Sequence, residues 1–264
     1  VDASSDDNFD DVANQTVTAT TTDDDTAGFT LSKTTATVSE GATTDTYTVV
    51  LNAQPDSDVV ISVTSGDTGE ATVSAANLTF TNGNWNSAQT VTVTGVDDNL
   101  VDGSVNTTIT MAVDDDNSDD NFDDVANQTV TATTTDDDTA GFTLGAISGN
   151  VAESGTTATF TVVLNAQPDS NVVISVTSGD TGEATVSAAN LTFTNANWNS
   201  AQTVTVTGVD DNIIDGNINT TITMSVDDDN SDNNFDALAD QTVTATTTDD
   251  DTAGFTLGAI SGNV

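Results

Sequence analysis

Hydrophobic and polar residues alternate along most of the chain. In TDTYTVVL, Tyr47, Val49 and Leu51 take one parity and Thr46 and Thr48 the other. In QTVTVTGV, Val91 and Val93 alternate with Thr90, Thr92 and Thr94, and in VNTTITMAV, Ile109, Met111 and Val113 alternate with Thr108 and Thr110. Period-two alternation places one face on a core and the other in water. Seven such segments are predicted between residues 26 and 138: Thr35–Ser39, Thr44–Leu51, Val59–Thr64, Ala71–Phe80 with a kink at Ala75–Ala76, Gln89–Val96, Val105–Val113 and Gln128–Thr135. Pro55 and Pro168 fall in matching NAQPDS turns, where a missing N–H costs nothing.

The pattern repeats. NFDDVANQTVTATTTDDDTAGFTL begins at Asn8 and again at Asn121, and NFDALADQTVTATTTDDDTAGFTL begins at Asn234. The period is 113 residues, and residues 26–138 align with 139–251 without a gap, differing at 22 positions. That period suits an independent domain rather than a solenoid unit. The expected organisation is the C-terminal part of a preceding repeat over 1–25, β-sandwich repeats over 26–138 and 139–251, and the first strand of a following repeat over 252–264. The chain reads as a window on a longer array. The fold class is all-β: tandem seven-stranded antiparallel β-sandwiches, immunoglobulin-like in architecture, in linear succession.

Composition narrows the chemistry. There are 43 Asp+Glu against one Lys+Arg, a formal net charge of −42, with no His and no Cys. Such a chain is not expected to bind nucleic acid, whose affinity comes from Lys and Arg, or to insert into a membrane, since no apolar run approaches the length of a span. It has no Ser-His or Cys-His pair, no zinc site and no disulfide. No enzymatic role is expected. The 54 Thr and many Val favour pleated strands and argue against the disorder that the charge alone would suggest. Runs such as TVTVT read as the solvent faces of strands, and Trp85 and Trp198 as packed rim aromatics.

Strand direction predicts where the acids go. If successive strands run up and down, Glu40, Asp67, Glu70, Asp97, Asp98, Asp102 and Asp136, Asp137 and Asp138 all fall at one pole, and their equivalents Glu153, Asp180, Glu183, Asp210, Asp211, Asp215, Asp249, Asp250 and Asp251 do the same in the next repeat. The four glutamates of the chain, Glu40, Glu70, Glu153 and Glu183, all lie in this set. Two like charges 4 Å apart repel by roughly 4 kcal/mol at an effective dielectric near 20, so convergence on this scale calls for a cation. All-oxygen donors in number suit Ca²⁺; Mg²⁺ keeps its waters, and transition metals would usually recruit His or Cys. Between Asp67 and Glu70 the residues leave the choice open. The Asp114–Asp124 loop falls at the opposite pole. Each repeat should therefore bring Asp136–Asp138 towards Asp227–Asp229 and Asp232 of the next, where an ion would stiffen the joint.

Glu40 in ATVSEG, Asp97–Asp98 in VTGVDDNLVDG and Asp136–Asp138 in TDDDTAG resemble the acidic signature of Calx-beta domains. These are calcium-binding sandwiches of sodium/calcium exchangers, integrin-associated proteins and giant bacterial surface proteins. The resemblance covers each whole repeat and implies Ca²⁺ ligands at Glu40, Asp97, Asp98, Asp102 and Asp136–Asp138, and at Glu153, Asp210, Asp211, Asp215 and Asp249–Asp251. The middle segment reads SGDTGEAT, where the family often has an acid followed by an aromatic. The near-identical copies look like the arrays of bacterial surface proteins. The expected function is a structural calcium-binding repeat of an extracellular, cell-surface stalk, adhesin or fibre. Its partners would be neighbouring repeats of the same chain, with identical chains as partners in the alternative of a self-assembling filament or surface layer.

Overall fold

In residues 29–135 the alternating segments pair into two sheets. The computed structural model describes residue 4, residues 6–259 and residues 261–262. The strands of the first repeat are β1 (Phe29–Leu31), β2 (Thr35–Ser39), β3 (Thr44–Leu51), β4 (Val59–Ser65), β5 (Ala71–Val73), β6 (Asn77–Phe80), β7 (Gln89–Gly95), β8 (Val105–Val113) and β9 (Gln128–Thr135). One sheet has the order β1-β3-β7-β5 and the other β2-β9-β8-β4-β6. Their inner faces meet in one core, with Tyr47, Val49, Leu51, Val91 and Val93 from the first sheet and Ile61, Val63, Ile109, Met111, Val130 and Ala132 from the second. Trp85 packs against its rim.

Residues 142–248 repeat the pattern with β10 (Phe142–Leu144), β11 (Val151–Ala152), β12 (Thr157–Leu164), β13 (Val172–Ser178), β14 (Ala184–Val186), β15 (Asn190–Phe193), β16 (Gln202–Gly208), β17 (Ile218–Val226) and β18 (Gln241–Thr248). Their sheets run β10-β12-β16-β14 and β11-β18-β17-β13-β15.

Two details differ from the sequence reading. The chain enters each repeat through a three-residue strand, β1 or β10, too short to show alternation. β1 pairs antiparallel with β3; the chain then crosses to the other sheet, where β2 pairs parallel with β9. The predicted Ala71–Phe80 strand is two strands. Ser74 N donates to Thr92 O in one sheet and Val63 N to Ala76 O in the other, so the chain changes sheets across the predicted kink. Neither detail alters direction: β2, β4, β7 and β9 all end at one pole.

The first edge is not equally built in the two repeats. The Lys33 ammonium pairs with Asp45, whose carboxylate also accepts from Thr37 N and so holds β2 in place. The equivalents are Ala146 and Ala158, Gly149 replaces Ala36, and β11 has shrunk to two residues. Glycine within a strand weakens it through backbone entropy.

Sequence alone does not make these strands. Gln15–Thr22 has the same eight letters as β9 and β18 but forms no strand; Val17 is 95% exposed, whereas Val130 is fully buried. TAGFTL at 252–257 matches the entry to β1 and β10, yet Phe255 is 87% exposed against 3% for Phe29. Without neighbouring strands, the backbone groups and apolar face have nothing to pair with.

Candidate metal centre

Close approach of the two sheets builds the acidic pole. At the end of β7, a Cβ on Gly95 would collide with the carbonyl oxygen of Ser39; in the second repeat, one on Gly208 would collide with that of Ala152. Glycine therefore lets the β2–Glu40 corner lie against the end of β7, directly before Asp97 and Asp98. Glu40 N donates to Thr135 O at 3.1 Å, which ties this corner to the end of β9. These glycines position the site, and sequence reasoning passed over them; their only signal was a glycine terminating an otherwise β-branched strand.

The side chains then converge. Glu40 is 1% exposed and Oε2 accepts from Asp137 N at 3.4 Å. Asp136 Oδ2 accepts from Asp102 N (3.1 Å) and Gly103 N (2.9 Å), and Oδ1 from Asp138 N (2.7 Å), so this carboxylate knits the β7–β8 loop to the end of β9. Asp249 does the same work through Gly216 N and Asp251 N, and these backbone donors hold its carboxyl below the usual range. Glu70 is 8% exposed; its backbone oxygen accepts from Val96 N and Thr134 Oγ1, which places it beneath the same loop.

Among the described residues, three groups have carboxylate oxygens within 4.8 Å of one another: Glu40–Asp137–Asp138, Glu153–Asp211–Asp251 and Glu183–Asp211–Asp215. The last two share Asp211 and so form adjoining nests at one pole. Six buried carboxylate oxygens there have no hydrogen-bond partner: Glu70 Oε2, Asp102 Oδ1, Asp138 Oδ2, Glu153 Oε1, Glu183 Oε2 and Asp251 Oδ2. A buried acceptor without a donor costs roughly 1–3 kcal/mol, more when charged.

Electrostatics reflect this crowding. Burial, reinforced by Asp136, Asp98 and Asp102, pushes Glu40 up to about 7 despite the Asp137 N–H. Burial likewise raises Glu70, Asp102 and Asp138, with neighbouring acids adding to it, and the same holds for Glu153, Glu183 and Asp251 in the second repeat. No base relieves them, because the one lysine is engaged by Asp45.

Other predicted residues lie at the margins. Asp67 is exposed and its Oδ1 accepts from Gly69 N at 2.9 Å, closing its own turn, while Glu70 points inward; Asp180 and Glu183 divide the same roles. Asp97 and Asp210 are exposed outside the three groups, though each raises a neighbour, Asp138 and Asp251 respectively. Asp250 contributes its backbone N–H to Glu153 Oε2 at 3.3 Å.

At the opposite pole Asp119 and Asp232 serve a different end, although Asp236 Oδ1 there is also buried without a partner. Asp119, 4% exposed, accepts from Asp56 N, Ser57 N and Asn121 N, and these donors lower its carboxyl. Asp232 accepts from Ser170 N and Asn234 N. With the buried Phe122 and Phe235, these acids pin the loop. The joint runs through Asn99–Val101 of the first repeat and Gln167 and Asn234 of the second; Asp232, expected to meet Asp136–Asp138 there, accepts from Ser170 N and Asn234 N, and the acids that approach one another across the joint are Asp102 and Asp169, the second adding to the upward shift that burial gives the first.

No protein-family model matches the sequence, and no curated protein matches it. Solved structures of similar fold include CBD12 from CALX1.2 (15% identity over 75% of this chain and 80% of that one, TM-score 0.33). They also include the apo form of Calx CBD1 (15% identity, 43% and 99%, TM-score 0.33) and domains 1–6 of the surface layer protein SbsC (18% identity, 72% and 20%, TM-score 0.35). The likeness is one of fold.

Proposed function

We propose that the chain is a structural, calcium-holding segment of an extracellular stalk or fibre, without catalytic activity. The observation that carries this reading is the set of six buried, partnerless carboxylate oxygens at the same pole of both repeats, in a chain whose one lysine is paired elsewhere. A hard divalent cation supplies the missing partner for such oxygens. Glu40, Asp137 and Asp138 would hold an ion in the first repeat; Glu153, Asp211 and Asp251 would hold one in the second. Glu183 and Asp215 would complete an adjoining site through the shared Asp211, and Glu70, rather than Asp67, is the equivalent inward group of the first repeat. The weak affinities of extracellular calcium modules suit such surface-edge sites.

In the second repeat, where Asp211 and Asp215 belong to the carboxylate groups, ion binding would lock the β16–β17 loop to the end of β18; the equivalent β7–β8 loop of the first repeat, tied to Asp136 through Asp102 N and Gly103 N, carries the inter-repeat contact. Calcium would in this way stiffen the array at the joint, where Asp169 of the second repeat lies close enough to Asp102 of the first to add to the upward shift that burial gives it. No helix among the described residues is long and apolar enough to cross a membrane. Calorimetric titration of the ion-stripped chain with Ca²⁺ tests the reading: saturable binding at a fixed number of sites is expected in each repeat, and an absence of heat and of thermal stabilisation would overturn it. Small-angle scattering with Ca²⁺ and with chelator tests the stiffening; superimposable curves in the presence of bound calcium would remove that part alone.

A further inference from the structure

The loop between β6 and β7 holds the chain's one Asn-Gly pair, Asn82–Gly83, and both residues are exposed. They occupy the centre of a turn in which Asn84 N donates to Thr81 O at 3.1 Å. The turn is closed by its own side chains: Asn84 Oδ1 accepts from Thr81 N at 2.6 Å and from Thr81 Oγ1 at 3.2 Å. It lies outside the sheets, since β6 ends at Phe80 and β7 begins at Gln89. Gly83 N donates to a hydroxyl, Thr81 Oγ1, at 3.2 Å rather than to a strand. A Cβ at residue 83 would meet nothing nearer than Thr81 Oγ1 at 3.8 Å, so the flank of Gly83 is open. On the other side, Asn82 Nδ2 donates to Pro55 O at 3.2 Å and Gln54 Nε2 donates to Asn82 O at 3.0 Å.

Such a turn lets a backbone nitrogen attack the side chain before it. Gly83 N gives up its proton to solvent and adds to Asn82 Cγ. The N–Cγ bond forms, the Cγ–Nδ2 bond breaks, and Nδ2 leaves with a proton as ammonia, which yields a cyclic succinimide. Water then opens the ring. Opening at Cγ restores the original backbone with an aspartate at residue 82. Opening at the main-chain carbonyl leaves isoaspartate, whose main chain runs through Cγ and is longer by a methylene. Glycine permits the close approach because it has no Cβ to crowd the ring. The bond from Asn82 Nδ2 to Pro55 O must be released before Cγ turns towards Gly83 N, and it is a surface contact between neutral groups.

We propose that Asn82–Gly83 is a site of spontaneous modification in the folded protein, where Asn82 becomes aspartate and isoaspartate without an enzyme, and that the second repeat is protected. The second repeat supplies a matched comparison. Its turn has the same bonds: Asn197 N donates to Thr194 O at 3.1 Å, Thr194 N to Asn197 Oδ1 at 2.6 Å and Ala196 N to Thr194 Oγ1 at 3.3 Å. Asn195 is exposed as Asn82 is, and the turns differ in sequence by the Ala196 methyl alone. The product changes its surroundings. It loses the donor to Pro55 O and sets a carboxylate at the Pro55–Asp56 turn. The longer backbone of isoaspartate also disturbs Trp85, which packs on the rim of the core and whose carbonyl accepts from Leu51 N at 3.2 Å. The modification therefore loosens the corner between β3 and β7 in the first repeat alone. The reaction needs no ion and does not rest on calcium being the structural ion.

Peptide mapping by mass spectrometry tests it, on the full 264-residue chain kept folded in Ca²⁺ at neutral and mildly alkaline pH. Digestion with a protease that cuts before aspartate but not before isoaspartate separates the two products. The expected result is an acid that accumulates at residue 82, faster at the higher pH because Gly83 N must lose its proton, while Asn195 converts at least an order of magnitude more slowly. Gly83→Ala should slow Asn82 to the rate of Asn195, and Ala196→Gly should raise Asn195 to the rate of Asn82. Both substitutions lie in an exposed turn, and circular dichroism checks that each variant is folded. Asn82 that persists in the folded chain as long as Asn195 overturns the proposal. So does conversion at residue 82 that Gly83→Ala leaves unchanged, or an Asn195 that Ala196→Gly fails to accelerate.

Discussion

Stripping the cation should invert the ordinary pH dependence of stability. Glu40 is 1% exposed and its carboxyl is pushed from 4.5 up to about 7. A carboxyl whose folded value lies above its unfolded value stabilises the fold while protonated, and that contribution is lost as pH rises through the folded value. An ion-free first repeat should thus lose stability between about pH 4.5 and pH 7. At 1.36 kcal/mol per unit, the Glu40 displacement corresponds to about 3 kcal/mol. Glu70, Asp102 and Asp138 are displaced in the same direction and add to the trend. Groups displaced downwards, such as Asp119, act in the opposite sense, but their stabilisation is lost only as pH falls below the ordinary carboxylate range, outside this window. With about 4 °C per kcal/mol for a domain of this size, the ion-free melting temperature should fall by about 12 °C from pH 5 to pH 7.5. Saturating Ca²⁺ should reverse the slope. It binds the deprotonated carboxylates and adds about 2.7 kcal/mol per site at 100 times its dissociation constant. Circular dichroism melts of dialysed chain across this range, with and without Ca²⁺, provide the assay. An ion-free melting temperature that is flat or rising with pH would refute the argument that Glu40 is a desolvated acid short of a partner.

Three further outcomes are expected. Asp211→Asn should reduce calcium stoichiometry in the second repeat by more than any other single substitution there, because Asp211 belongs to two carboxylate groups; an unchanged calorimetric stoichiometry would show that the groups do not share an ion. Gly95→Ala should destabilise the first repeat by about 1–3 kcal/mol in urea unfolding, as a methyl forced against the Ser39 carbonyl must part the two sheets. Tyr47→Phe, which removes the hydroxyl donating to Met111 Sδ, should cost under about 1 kcal/mol in the same assay, since Phe160 already fills the equivalent place.

Alternation was enough to locate the long strands, since Tyr47, Val49 and Leu51 or Ile109 and Met111 declare a buried face by parity alone. Counting strand directions was enough to send Glu40, Glu70, Asp98, Asp102 and Asp136–Asp138 to one pole, because direction is independent of which sheet a strand joins. What escaped the sequence was whatever depends on sheet membership. β1 is three residues long and has no period to read, and the split at Ser74–Ala76 is set by hydrogen bonds to two different sheets. The choice between Asp67 and Glu70 turned on a local hydrogen bond: a carboxylate two residues before a glycine N–H closes a turn on itself, which leaves the longer Glu70 to face inward.

The joint shows most plainly why charge was an incomplete guide. Acids dominate the composition so strongly that an ion between the repeats looked like the natural connector. Carboxylates at a pole, however, are held by backbone donors where loops supply them, and Asp232 and Asp249 have such donors. The hydrogen-bonded contact between repeats is made by the uncharged Leu100–Val101 within the acidic stretch from Asp97 to Asp102, with Asp102 and Asp169 crowded beside it. The two roles are then coupled by the chain itself. Asp98 Oδ1 accepts from Leu100 N at 2.7 Å, and Asp102 and Gly103 donate to Asp136, so the loop that carries Leu100–Val101 to the next repeat is tied to the end of β9, directly before Asp137 and Asp138. Any ion taken up at this pole acts on the angle of the joint through the one loop of residues 96–104, whose Asp102 already feels Asp169 of the next repeat.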